Sequence, residues 1–347
     1  MRQRESIYDL MRVIAAFFVV TVHVSADYLY LGTIGSNAWV SAFTYDSLAH
    51  VFVPLFFMIS GRFFLDPQRI ITGEKVLQKS GRLLAAFFVW SFLYLFVFFL
   101  PSYQGIESIR SNLGWLAERF IRGGSHLWFL WALLGLYLIT PILRQVVLNK
   151  TASKWFVVLF LVFQILLPAL HQVPLIGNLI VVAENTMKLQ FVLGYTGYFL
   201  LGYLLHEYQL NKCCRVTVYL FGVVCFVLCV LLSVRRSVSE GEVYSGLLDY
   251  LHPFMIVPSI ALYLGAISIS RNNPKLGKHR VISFLSSYSF GIYLVHLMVL
   301  KLFHAKDLLW WAHPIIAIPV DAFVIMAISC LLAWLIRRIP YIGKRIT

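Results

Sequence analysis

Tyr8 to Tyr28, YDLMRVIAAFFVVTVHVSADY, reads as a membrane-spanning helix, yet it carries Asp9, Arg12 and His23. An ionisable side chain inside a span is costly, so its presence there points first to function. Arg12 and His23 are 11 residues apart, and three turns of α-helix take roughly 10.8 residues. They therefore share a face and stand about 16 Å apart along the axis. One face of one helix offers a cation near one end and an imidazole past the middle. Such a face can hold an elongated anion and act on its far end. The plainer reading is a snorkelling Arg and a His satisfied by a neighbouring helix. That reading fits either residue alone better than it fits the pair.

The rest of the chain agrees with a membrane setting. Its 347 residues are 60% hydrophobic and only 13% charged, against about 25% charged in soluble domains. Mean hydropathy is +0.80. Ten apolar runs approach the ~20 residues that a span needs: 8–28, 48–65, 82–100, 127–146, 155–173, 189–206, 214–234, 247–270, 281–303 and 314–336. Backbone groups in lipid need internal partners, so the spans must be helices. The expectation is an all-α integral membrane protein of about ten helices, one domain over residues 1–347. The first run is not read as a cleaved leader, because Asp9 and Arg12 interrupt the approach to its apolar core. The five cysteines show no metal spacing with His and no disulfide framework. No metal and no permanently bound cofactor is expected.

An even number of spans puts both termini on one side, and the basic residues choose that side. With the N-terminus inside, the inner segments hold 18 Lys and Arg and the outer segments 7. The net charge of +14 thus belongs to one membrane face and does not indicate nucleic acid. This topology brings Arg12, Arg62, Arg82 and Arg144 to one depth. Arg62 follows Ser60-Gly61 at the end of the second run, after Pro54 as an expected kink. Guanidiniums bind phosphate bidentately, so Arg12, Arg62 and Arg82, with Ser60, form a candidate anion site. Arg144 reads better as a flank meeting lipid headgroups.

The opposite half holds the other candidates. Ser289, Tyr293 and His296 follow i, i+4, i+7 on the ninth run and share a face. His296 falls at a depth similar to His23. His126 opens the fourth run beside Trp128, which suits an aromatic belt. Glu184 lies in an outer loop, as a solvated acid or an acceptor-binding group. Asp27 is i+4 from His23 and either orients its ring or marks the helix exit.

These motifs, taken in order, resemble the acyltransferase 3 family of integral-membrane acyltransferases. Asp9-Leu10-Met11-Arg12 through His23 resembles that family's first-span Arg and His separated by ten residues. Pro54-Leu55-Phe56-Phe57-Met58-Ile59-Ser60-Gly61 resembles its FF-x-x-SG signature. His126-Leu127-Trp128-Phe129-Leu130 with Tyr137 and Pro141, and Ser289-Phe290-Gly291-Ile292-Tyr293-Leu294-Val295-His296, resemble two further stretches. The chain departs from the pattern at Arg62, where an apolar residue is commoner, and at Lys79-x-x-Arg82, where two arginines are. The resemblance is closest to bacterial members that O-acetylate surface glycans.

That resemblance implies transfer of an acyl group, usually acetyl, from cytoplasmic acyl-CoA to a hydroxyl of an extracytoplasmic or lipid-linked glycan. The setting would be a multi-pass protein of the bacterial inner membrane, among membrane lipid. His23 would be the general base, with Asp27 beside it. Arg12, Arg62, Arg82 and Ser60 would bind the donor. Tyr293, His296, His126 and Glu184 would line the acceptor path. A rival expectation is a transporter or exporter of surface polysaccharide. A homo-oligomer is compatible with either. The charge asymmetry predicts that single cysteines at positions 75 and 275 will label from the cytoplasm and those at 37 and 240 from outside. Finding 75 and 37 on the same side would refute this topology.

Overall fold

The computed structural model describes residues 5–99, 113–171, 176–187 and 194–347. In chain order the helices are α1 (Ser6–Leu31), α2 (Asn37–Phe52), α3 (Leu55–Phe64), α4 (Gly73–Tyr94) and α5 (Leu113–Arg122). Then come α6 (Trp128–Leu148), α7 (Lys150–Phe160), α8 (Gly177–Met187), α9 (Tyr195–Glu207) and α10 (Lys212–Glu240). The last are α11 (Pro253–Asn272), α12 (Arg280–Ala305), α13 (Pro314–Ile336) and α14 (Gly343–Ile346). π-Helical turns prolong α4 over Leu95–Phe99 and α7 over Leu161–Leu166. Among the described residues, nine segments are long and apolar enough to cross a membrane. The protein is an all-α integral membrane protein.

Local chemistry sets the boundaries. Ser36, Thr72, Asn149 and Asn211 each cap a helix with a side-chain oxygen that accepts a backbone N–H of the first turn. Pro253 and Pro314 open α11 and α13, where a missing N–H costs nothing. Pro54 separates α2 from α3, as expected of a residue that cannot continue the hydrogen-bond ladder. The second span, however, begins at Asn37 rather than near residue 48. Asp46 and several hydroxyls lower the hydropathy of that stretch. Inside the bundle Asp46 is buried and accepts a hydrogen bond from Ser25 Oγ at 3.0 Å. The run at 189–206 is also altered. Its helix, α9, covers 13 residues, about 20 Å, and residues 189–193 lie outside the described residues. So do Arg2, Arg4, Glu107, Arg110 and Lys188.

α1 is the axis of the bundle. It packs against α2, α12 and α13, with smaller contacts to α3 and α11. One end of the bundle gathers the start of α1 and the ends of α3, α6, α9 and α11. Ser6 Oγ donates to Leu276 O, Arg62 meets Glu5, and Arg271 donates to His206 O. Arg82 donates to Thr347 O, so residue 5 and residue 347 lie at this same end. At the other end Tyr28 donates to Asp321, and Trp39 Nε1 donates to Leu29 O.

The tightest crossing is that of α3 on α9. A Cβ on Gly61 would stand 1.7 Å from Phe199 O, and one on Gly202 would stand 1.9 Å from Met58 O. The two backbones touch, as small residues permit between helices in lipid. This contact explains the Gly of the Ser60-Gly61 pair. Gly61→Ala should therefore destabilise the protein by about 1–3 kcal/mol. Gly81→Ala, on an exposed helix position with nothing within 4 Å of the added carbon, should leave stability unchanged or raise it by up to about 1 kcal/mol. Melting temperatures in detergent check both; a Gly61→Ala protein as stable as the Gly81→Ala protein would contradict the crossing.

Candidate active site

Two cavities run along α1 and meet at Arg12, about two turns from its start. The first, of about 200 Å³, is lined by His23, His126, Tyr293 and Tyr250 at one end and by Arg12, Ser60 and Ser289 at the other. The second, of about 700 Å³, begins at the same Arg12, Ser60 and Ser289 and continues past Arg69, Lys79, Arg82 and Arg337. Shared walls make them one path, apolar around the imidazoles and, at and beyond Arg12, rich in cations with Glu5 and Asp9 among them. The 11-residue spacing on α1 is what places one kind of side chain at each end.

Three imidazoles crowd the inner cavity. Ring centroids are 5.1 Å apart for His23 and His296, 6.2 Å for His23 and His126, and 5.2 Å for His126 and His296. His296 is fully buried, and its Nδ1 lies 2.6 Å from Tyr293 O. A carbonyl only accepts, so Nδ1 carries the proton and Nε2 presents a lone pair. That Nε2 has no hydrogen-bond partner. It is thus an unpartnered acceptor on a ring that lies 5.1 Å from that of His23. The backbone is pinned around the rings: Tyr293 OH donates to His126 O, and Tyr94 OH donates to Leu294 O at 2.9 Å. Among the described residues, no group of three or more His, Cys, Asp or Glu side chains is arranged to hold a metal ion.

The cationic end is built differently. Arg12 is steadied by Asp9 at 3.3 Å and by the face of Phe63, 5.1 Å from its guanidinium carbon. Asp9 is itself buried and accepts from Ser286 Oγ at 2.7 Å. Arg69 and Lys79 lie over Phe63 and Phe64. Arg82 lies over Phe290. Aromatic faces hold these cations at modest strength, while Arg69 also pairs with Asp66 at 3.4 Å and Arg82 donates to Thr347 O.

Not every candidate residue reaches this path. Arg62 is buried with Glu5 at 2.9 Å and Asp66 at 3.0 Å and lines neither cavity. Its depth matches Arg12, but its side of α3 does not. Asp27 lies 4.0 Å from His304, on the lip of α1, and does not line the cavity with His23. Glu184 pairs with His171 at 2.7 Å, away from both cavities. Arg144 donates to the carbonyls of Phe64, Asp66 and Arg69 and so caps the end of α3. Arg12, Ser60, Arg82, His23, His126 and Tyr293 are brought together on the path, with His296 directly behind.

Other residues of the site escape a sequence reading. Arg69 and Arg337 look like loop charges, and only the fold turns them inward. Asp46 and His50 form a pair at 3.5 Å, and the His50 ring stacks on Tyr250, which lines the inner cavity. Their i,i+4 spacing was the available signal.

The described helices thus form a polytopic bundle with histidines at one end of a path and cations at the other. Residues 6–338 match the model of an acyltransferase domain. The chain belongs to the acyltransferase 3 family and is a membrane acyltransferase. No curated protein and no solved structure matches it.

The two kinds of arginine predict different outcomes. Arg62→Gln removes the nearer of two guanidiniums on buried Asp66, leaving Arg69 at 3.4 Å, and should cost about 1–3 kcal/mol of stability. Arg82→Gln removes an exposed guanidinium held by one carbonyl and should cost less than about 1 kcal/mol. Thermal unfolding in detergent distinguishes them, and the reverse ranking would contradict this assignment.

Proposed function

We propose that the protein moves an acyl group, acetyl in the first instance, from cytoplasmic acyl-CoA to a hydroxyl of an extracytoplasmic or lipid-linked glycan, in a bacterial inner membrane. The observation that carries this reading is the single path from the cationic cavity to the three imidazoles. Acyl-CoA has phosphates at one end and a thioester at the other. The phosphates match Arg12, Arg69, Lys79 and Arg82 in chemistry, and the thioester end matches the narrow inner cavity. An inner cavity of about 200 Å³ suits a short acyl group and an incoming hydroxyl.

In this reading His23 takes the proton of the acceptor hydroxyl as that oxygen attacks the thioester carbonyl. The tetrahedral intermediate collapses, the C–S bond breaks, and the CoA thiolate leaves with the proton held by His23. His is the usual base for such a hydroxyl near neutral pH. His296 lies against His23, and its unpartnered Nε2 is the acceptor nearest at hand to favour the reacting tautomer once substrate is bound. Asp27 and Glu184 take no part, and Arg62 acts only by keeping α3 in place. The exporter reading gains no support from a path this narrow or from cations gathered at one end.

His23→Gln and His23→Ala should both reach the membrane and bind acetyl-CoA like the wild type, because the phosphates sit about 16 Å away. Transfer of label from acetyl-CoA to envelope glycan should fall at least about a hundredfold. Arg12→Lys, which keeps charge but loses the planar fork, should instead weaken acetyl-CoA binding. Near-normal transfer by His23→Gln would remove His23 from the chemistry. Unchanged donor affinity in Arg12→Lys and Arg12→Ala would remove Arg12 from the donor site.

A further inference from the structure

Beyond Arg82 and Arg337 the cationic cavity opens into a third depression, of about 390 Å³. It is lined by those two arginines with Tyr288, Trp334, Arg338 and Lys344. Four formal positive charges face one space, and no acidic residue lines it. Arg337 lies over the Tyr288 ring at 4.2 Å, and Arg338 lies over Trp334 at 3.8 Å. Arg82 and Arg337 each donate to Thr347 O at 3.1 Å, and Arg337 also donates to Ser287 O. Neither acceptor residue has an acidic side chain. Two stacked guanidiniums and a lysine around one space make a receptor for a doubly charged phosphate.

The position of this depression narrows the ligand. The three spaces follow one another: imidazoles, then Arg12 and the first cations, then a last cluster reached through Arg82 and Arg337. A linear donor with only a diphosphate would be satisfied by the middle space. Coenzyme A carries one more phosphate, a 3′-monoester on the ribose, at the end farthest from its thioester. We propose that the depression at Tyr288, Trp334, Arg338 and Lys344 binds that 3′-phosphate and makes the protein select donors that carry it. This inference rests on the acyl-CoA reading above. The same phosphate chemistry is offered by an anionic lipid headgroup at this bundle end, and the test separates the two.

The protein in detergent is titrated with acetyl-CoA and with acetyl-3′-dephospho-CoA. Charge-assisted hydrogen bonds to the monoester should make the wild type prefer acetyl-CoA by about 10–100-fold. The double variant Arg338→Gln, Lys344→Gln should lose that preference by weakening acetyl-CoA alone, and its retained affinity for the dephospho donor shows that it is folded. Equal wild-type affinity for the two donors overturns the 3′-phosphate site and leaves the acyl-CoA reading intact. Binding of neither donor overturns the acyl-CoA reading itself. Retention of the full preference by the double variant also overturns the proposal. A lipid site would show as equal donor affinities together with stabilisation of the wild type, and not of the double variant, in phosphatidylglycerol nanodiscs over phosphatidylcholine ones.

Discussion

A charged group inside a lipid-immersed bundle must have partners, and the arrangement around α1 follows from that requirement. Asp9 and Arg12 lie one turn apart on the axial helix. Asp9 is buried, so it recruits Ser286 from α12 as well as Arg12. That pairing ties α12 to α1 at the depth where the two cavities meet. Arg62 solves the same problem with Glu5 and Asp66, and Asp321 with Tyr28 and Trp311. Each buried charge closes a joint between segments far apart in sequence. Along the path the cations are shared between carboxylates and aromatic faces: Arg12 has Asp9 and Phe63, Arg69 has Asp66 and Phe63, and Lys79 and Arg82 lie over Phe64 and Phe290.

Apolar packing then decides which surfaces come together. The Gly61–Gly202 crossing lets α3 approach α9 until the backbones touch, and so puts Ser60 beside the α1 face that carries Arg12. On the other side of the path α12 brings Ser289, Tyr293 and His296 on one face. The imidazoles are held by ring contacts and by backbone carbonyls, with no carboxylate among their bonded partners. A site of this kind is neutral where the acyl group would sit and positive where phosphates would sit.

Much of this was legible in the sequence because helices keep strict periods. The Arg12–His23 face and the Ser289–Tyr293–His296 face follow from spacing alone, and both reach the path. Depth was legible too, since basic residues gather at one bundle end. Azimuth was not. Arg62 shares the depth of Arg12, but the turn of α3 after Pro54 sends it into an ion-pair cluster. Asp27 has the right i,i+4 spacing to His23, yet it leans to the lip of the helix and meets His304. Glu184 sits outside because its partner is His171. The start of the second span was hidden because Asp46 counts as polar in any hydropathy window, while Ser25 satisfies it inside the bundle. Arg337 was hidden for the opposite reason: a basic residue at the end of a last span looks like an ordinary flank.

The Ser286–Asp9 bond has a consequence for length. α1 carries Arg12 and His23, and α12 carries Ser289 and His296, so each helix marks both ends of the path. Each helix advances about 1.5 Å per residue and cannot stretch. With their offset pinned by a buried carboxylate, the two helices act as the arms of a calliper locked at one opening. Sliding one along the other would strip Asp9 of its partner. A carrier held at the arginines but shorter than this opening would hang its reactive carbon below the imidazoles, and a longer one would overshoot them. On the acyl-CoA reading, the fixed offset would admit one length of donor.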